Sequence, residues 1–260
     1  ARDLIDILIK VPGFDFGLDV HNLVSLGIRG NWANEGKVLL LFNGHEMNEL
    51  VFTTLQFGNH FPVDTIKKIE IIRGPGSSVY GGFAELAVIN IITEDGEDIN
   101  GIKFSSSAGQ FSFNADEYSH RNGTISAGIK NDDLKMSTLL FYGQANRSNK
   151  TFKDFYPDNK FHSYDMAGKD QMIPGMIDVS LTYKDFEFKF LYDRYELQTQ
   201  DAYYYNLPDS MESIFYSYFA EIKYDFKIGK NLKISPSFTY KRQLPWNATS
   251  EFVKEIDLDK

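Results

Sequence analysis

Hydrophobic and polar residues follow two different patterns along this chain. Up to about Gly101 the apolar residues come in continuous runs, at Val38–Phe42, 68–72 and Ala87–Thr93. Short runs that are apolar on both faces predict buried strands of a compact mixed α/β unit. The first run ends in Asn43-Gly44, a strong hairpin signal. Leu4, Ile5, Ile7, Leu8 and Val11 have helical spacing and stop at Pro12-Gly13, which predicts one short amphipathic helix. Asp64 stands where it would cap a single helical turn ahead of the strand at 68–72.

Beyond Gly101 apolar and polar residues alternate in segments of about ten, which is strand spacing. In 186–193, Phe186, Phe188, Phe190 and Tyr192 oppose Glu187, Lys189, Leu191 and Asp193. In 216–226, Tyr216, Tyr218, Ala220, Ile222, Tyr224 and Phe226 oppose Ser217, Phe219, Glu221, Lys223 and Asp225. With 102–110, 123–130, 135–144, 176–183 and 232–241, about seven strands are expected. The links alternate too: "KNDD", "KD" and "KIGKN" are tight turns, whereas 111–120, 147–173 and 198–213 are long and rich in Asp, Asn and Tyr. Short turns at one end, long links at the other and aromatic strand ends favour an outer-membrane β-barrel. A soluble β-sandwich also alternates, but rarely sets charges opposite so continuous an aromatic face.

Composition narrows this picture. The 260 residues carry a net charge of -9, without the basic footprint of a nucleic-acid binder. There is no cysteine, which removes disulfides, thiolate metal sites and cysteine nucleophiles. No apolar run reaches the ~18 residues of a membrane-spanning helix. The first residues, "ARDLIDILIKVPGF", have no basic n-region of a signal peptide and read as the interior of a longer chain.

One stretch invites a nucleotide reading: the glycine-rich arch Gly74-Pro75-Gly76-Ser77-Ser78-Val79-Tyr80-Gly81-Gly82 follows a strand. A phosphate loop of the Gly-Lys-Ser/Thr type needs a lysine, and none lies between Lys68 and Lys103. The dinucleotide fingerprint needs a third glycine where Val79 stands, and a helix where Ala87–Thr93 reads as strand. The arch is therefore expected to be structural.

"LIKVPGF", "GIRG" at 27–30, "VLLLFNG" at 38–44, "IKKIEIIRGPGSSVYG" at 66–81 and "AVINIIT" at 87–93 occur in the order and spacing of a plug domain. Over residues 1–95 the chain resembles the TonB-dependent outer-membrane receptors, closer in wording to siderophore, haem and cobalamin receptors than to glycan importers. The resemblance implies an α+β plug at 1–100, lacking its N-terminal part. It implies that 101–260 are antiparallel transmembrane strands, the first part of a barrel of about 22 strands. Seven strands cannot enclose such a plug, so an internal piece of a larger receptor is expected. Arg29, Arg73, Gly74, Gly76 and Tyr80 are expected at plug–barrel contacts, the arginines facing carboxylates of the wall.

By the same resemblance, ligand is held between plug apices and outer loops. Trp32, Asn34, His45, Glu46, Asn48, Glu49 and Phe57 are the expected ligand-facing residues on a solvent-exposed rim, with Tyr203, Tyr204 and Tyr205 in a long loop able to stack on ligand. No catalytic constellation is found: "HEMNE" at 45–49 lacks the second histidine of the zinc motif, and His21, His60, His120 and His162 lack ligand spacing. Asp154 and Asp158 lack the glycine and glutamate of a calcium loop. No cofactor or metal is expected. The implied function is energised import of a scarce ligand of the siderophore-iron, haem or cobalamin class across the bacterial outer membrane. The implied partners are the TonB-ExbB-ExbD complex, acting through a segment not in this sequence, the small-molecule or metal-chelate ligand and outer-membrane lipid. A surface lipoprotein or larger envelope complex is left open. The rival readings are a structural subunit of an envelope assembly and, last, a soluble nucleotide-dependent enzyme.

Overall fold

Asp3 starts the first element. Its carboxylate accepts from the Ile5 amide while Asp6 reaches back to the Asp3 amide, a reciprocal cap that starts α1 (Leu4–Leu8). Leu4 and Leu8, one turn apart, are its buried face. The computed structural model describes residues 1–19, 23–33, 35–76, 80–111, 118–155, 161–199, 210–229 and 232–248.

After α1 come β1 (Phe14–Leu18), β2 (Val24–Ile28) and β3 (Asn31–Trp32), a small antiparallel sheet. A second sheet is made of β4 (Val38–Phe42), β5 (His45–Glu46), β6 (Ile66–Arg73) and β7 (Ala87–Thr93), in the order β5-β4-β7-β6. β4 and β7 run parallel at its centre, and all five residues of β4 are buried. Asn43 and Gly44, both at positive φ, turn β4 into β5. Two expectations are corrected here. β6 is an edge strand among the described residues, and it has exposed positions at Lys68, Glu70 and Ile72 rather than being buried on both faces. Asp64 lies inside the 3-10 turn Val63–Thr65 rather than capping it, and its carboxylate accepts from Ser105 and Thr124 instead.

A helical turn, α2 (Gly96–Ile99), then leads into the wall. The wall opens with β8 (Gly101–Gln110), β9 (Tyr118–Lys130) and β10 (Leu134–Asn146). A separate hairpin follows: β11 (Thr151–Phe155) and β12 (Phe161–Asp165) pair within the long link expected at 147–173. The wall resumes with β13 (Gln171–Tyr183), β14 (Phe186–Thr199) and β15 (Met211–Tyr224). A second separate hairpin, β16 (Phe226–Ile228) with β17 (Leu232–Ile234), stands where one turn and the start of one strand were expected. The last wall strand, β18 (Ser237–Ala248), therefore begins only at Ser237. The wall sheet has the order β18-β15-β14-β13-β10-β9-β8, every neighbour antiparallel.

The alternation sorts side chains by face. Ile102 is 81% exposed, and Phe104, Tyr142 and Phe238 also point outward, while Thr124, Ser126, Asp178, Asp193 and Ser217 are buried against the N-terminal unit. An apolar outer face over an inner one that buries polar groups among apolar ones such as Leu139 and Leu191 departs from the pattern of a water-soluble sheet.

Candidate functional site

The N-terminal unit meets the wall through a shared apolar cluster, to which Leu139, Phe141, Met176, Leu191 and Phe219 of the wall contribute, and through a set of polar contacts. Asn43 bridges the unit and β13, its Nδ2 donating to Thr93 Oγ1 (2.9 Å) and Asp178 Oδ2 (3.0 Å). Asn59 and Asn122 of β9 exchange amide hydrogen bonds at 2.8 and 3.0 Å. Near the short-turn end Lys103, Lys130 and Lys135 of the wall meet Glu94, Glu97 and Asp95. Such polar satisfaction matters because an unpaired buried donor or charge costs ~1–3 kcal/mol or more.

A buried contact with the wall is made by the segment 56–61. Gly58 (φ +96°) passes so close to β13 that a Cβ there would lie 2.7 Å from Met172 Sδ. The Tyr195 hydroxyl of β14 lies 3.1 and 2.9 Å from the carbonyl oxygens of Phe57 and Gly58. His60 is 1% exposed in its side chain, with Nε2 2.9 Å from Asp193 Oδ1 and Nδ1 2.8 Å from the Gln56 carbonyl oxygen. Phe61 and Tyr195 lie on the ring, centroids 4.4 and 4.3 Å away. Burial alone would push this imidazole down, but the Asp193 carboxylate, reinforced by Gln56 and Asp3, raises it above its ordinary value.

Of the residues expected on a solvent-facing rim, Trp32 is half-exposed and Asn34 lies outside the described residues. The expectation is corrected for His45, Asn48, Glu49 and Phe57, which are buried and used internally. Asn48 mimics a strand neighbour, accepting from Leu40 N (3.0 Å) and donating to Val38 O (2.8 Å). The Glu49 carboxylate accepts from the amides of Val51, Phe52 and Thr54 at 2.6, 2.7 and 3.1 Å. Phe57 packs edge-on against Phe16, and His45 lies against Phe219, where burial and then the charge of Lys189 push its imidazole down to about 4. Glu46 is half-buried and pairs with Lys241 of β18 at 3.3 Å. What the loop turns outward instead is Leu50, Val51 and Phe52, all exposed. Phe52 meets Trp246 at 5.8 Å, near the end of β18 where the long links lie. Tyr203, Tyr204 and Tyr205 lie outside the described residues.

The expected contacts also move. The Gly74 and Gly76 amides donate to Leu86 and Ala84, and a Cβ at Gly76 would meet Val88 at 2.9 Å, so the arch closes on its own unit. With those amides consumed internally the arch offers them to no phosphate. Tyr80, Arg29 and Arg73 are exposed, and neither guanidinium has an acidic partner among the described residues. Among the described residues, His60 and Asn43 make hydrogen bonds to carboxylates of the wall strands. Asp193 was legible as an inward residue of an alternating strand, but His60 carried no signal of its own.

Residues 1–87 match the TonB-dependent Receptor Plug Domain family. The vitamin B12 transporter BtuB of Vibrio vulnificus (strain CMCP6) is 38% identical over 112 residues, 42% of this chain and 18% of the relative. Among solved structures, a mutant of the ferric enterobactin receptor PfeA of Pseudomonas aeruginosa with enterobactin bound superposes with a TM-score of 0.64 at 16% identity, covering 93% of this chain and 38% of that one. The siderophore receptor PirA of Acinetobacter baumannii gives 0.59 at 17%, covering 94% and 38%. This chain thus spans under a fifth of BtuB and under two-fifths of each receptor structure. A plug-family match over residues 1–87, a seam between plug and wall and a wall whose apolar face points outward agree: the N-terminal unit is a TonB-dependent receptor plug domain, and the chain as a whole is similar in fold to receptors of that kind.

Proposed function

We propose that the whole receptor imports a scarce ligand of the siderophore-iron or cobalamin class, drawn through the barrel at the expense of the inner-membrane TonB system. The observation that carries this reading is a plug seated on the inner face of the wall, fixed by a buried seam yet built as a separate α/β unit. A folded plug in a barrel blocks passive flow, so passage requires work on the plug.

On this reading the ligand rests on the apex Leu50-Val51-Phe52 beside Trp246, with Trp32 as a further aromatic contact. The buried Glu49 carboxylate braces this apex by taking its amides, leaving apolar side chains rather than charges toward the ligand. An apolar platform suits the hydrophobic faces of a corrinoid or catecholate chelate better than a small hydrated ion.

The test is uptake of labelled cobalamin and of ferric catecholate siderophore by cells expressing the full-length receptor, with and without TonB. Accumulation of one ligand that is lost without TonB, and weakened binding by Phe52→Ala at unchanged receptor level, is the expected result. Binding without TonB-dependent uptake would overturn import. Full affinity in Phe52→Ala would overturn the apex assignment.

A further inference from the structure

His60 is a histidine with two acceptors and no donor facing it. The Gln56 carbonyl and the Asp193 carboxylate both accept hydrogen bonds, at 2.8 and 2.9 Å from the two ring nitrogens. A neutral imidazole has one N–H. With the proton on Nδ1, a nitrogen lone pair would face a carboxylate; with it on Nε2, a lone pair would face the carbonyl. Either arrangement leaves a buried contact repulsive, and the ring is closed to water by Phe61 and Tyr195. The two contacts together require one more proton in the pair. The charged groups acting on the ring agree in sign: Asp193 from β14, and Asp3 from ahead of α1, whose carboxylate accepts from the Asn59 amide, while Tyr195 of β14 stacks on the ring.

We propose that the His60–Asp193 pair is a proton-dependent latch between plug and wall, closed while the pair holds its extra proton and loosened when that proton leaves. The segment it fixes runs against the wall, where Gly58 abuts Met172 and Tyr195 holds two successive carbonyls. Burying an ion pair is a poor way to gain stability, since desolvation offsets most of the attraction, but removing one partner is costly. That asymmetry suits a switch. The imidazole is raised above its ordinary 6.5 by Asp193 against the opposing effect of burial. The latch therefore contributes fully below about 6.5 and is lost as pH rises through the raised value. This inference concerns the plug–wall contact and stands whatever the receptor carries.

The experiment is hydrogen exchange of the full-length receptor in detergent between pH 6 and 9, corrected for intrinsic rates, with β7 as internal reference. Peptides covering 56–61 are expected to lose protection with rising pH while β7 does not. Asp193→Asn abolishes this dependence, because the carboxamide it introduces donates to a neutral Nε2 while Nδ1–H serves Gln56. Flat wild-type protection, or the same pH-dependent loss in Asp193→Asn, would overturn the latch. Should that variant not fold, a ring-nitrogen NMR titration of selectively labelled wild-type histidine decides: His60 charged at pH 7 supports the latch, and a neutral ring at pH 6 refutes it.

Discussion

The plug and the wall are built from the same residue types used in opposite senses. In the plug, Leu40, Phe42, Ile89 and Ile91 vanish into the core, and polar residues such as Lys68 and Glu70 face outward. In the wall, Ile102, Phe104 and Phe238 face outward and Asp193, Ser126 and Ser217 are buried. What separates the two is the medium on the far side. A protein core takes the plug's apolar side chains, whereas a bilayer takes the wall's outer ones, leaving the inner surface free to bury polar groups beside apolar residues such as Leu139 and Leu191. Burial in the wall therefore does not track hydrophobicity alone, since Ile102 is exposed while Leu191 and Asp193 are both buried. It tracks position relative to the seam.

The comparison is broken most severely at that seam. His60→Ala leaves the Asp193 carboxylate buried without its partner, and a loss of about 3–5 kcal/mol is expected in urea unfolding of the whole receptor in detergent. Ile89→Ala in the plug core is expected to cost about 2–5 kcal/mol by cavity formation. Ile102→Ala on the outward face removes the same atoms from a site already exposed and is expected to leave the unfolding midpoint nearly unchanged. Equal losses for the two isoleucines would refute the inside-out assignment.

Much of this was legible in the sequence because periodicity is local. β4 and β7 appear as continuous apolar runs, and the alternation at 186–193 already separates Asp193 from the aromatic face. What periodicity does not carry is pairing between elements. His60 and Asp193 are 133 positions apart, and an isolated histidine before Phe61-Pro62 reads as a loop residue. The rim assignment failed for a related reason. His45, Asn48 and Glu49 are polar and follow a turn, so they read as exposed, yet Asn48 and Glu49 turn back to satisfy backbone groups of their own unit. The apolar Leu50-Val51-Phe52 beside them, not among the expected ligand-facing residues, is the exposed part.

Two smaller effects sharpen the contrast within the plug. Glu49→Ala strips the acceptor from three amides at the apex. Those of Val51 and Phe52 belong to exposed residues and can be rehydrated, so about 1 kcal/mol is expected, with faster hydrogen exchange confined to 50–54. His45 and His60 should respond to pH in opposite directions. His45, held down to about 4 by burial, binds fewer protons folded than unfolded, so its contribution is lost as pH falls from 6.5 toward 4. His45→Gln should flatten the acid side of the stability profile, leaving the alkaline loss due to His60 in place.

The smallest expected effect lies on the exposed face of β6. Lys68 and Glu70 form an ion pair at 2.6 Å with both side chains about half in solvent, and such pairs contribute little because water competes for both charges. Lys68→Ala in this chain is expected to leave the unfolding midpoint unmoved and to show no salt dependence beyond wild type. The same substitution in the full-length receptor asks what covers that edge. If further wall strands close over β6 as β8–β18 close over the opposite side, Lys68 enters a seam of the kind His60 occupies. Its removal there would then strand Glu70 as removal of His60 strands Asp193. A midpoint shift in the whole receptor but not in this chain would extend the inside-out rule around the barrel. No shift in either would leave β6 facing an aqueous lumen, and the plug would be held to its wall from one side.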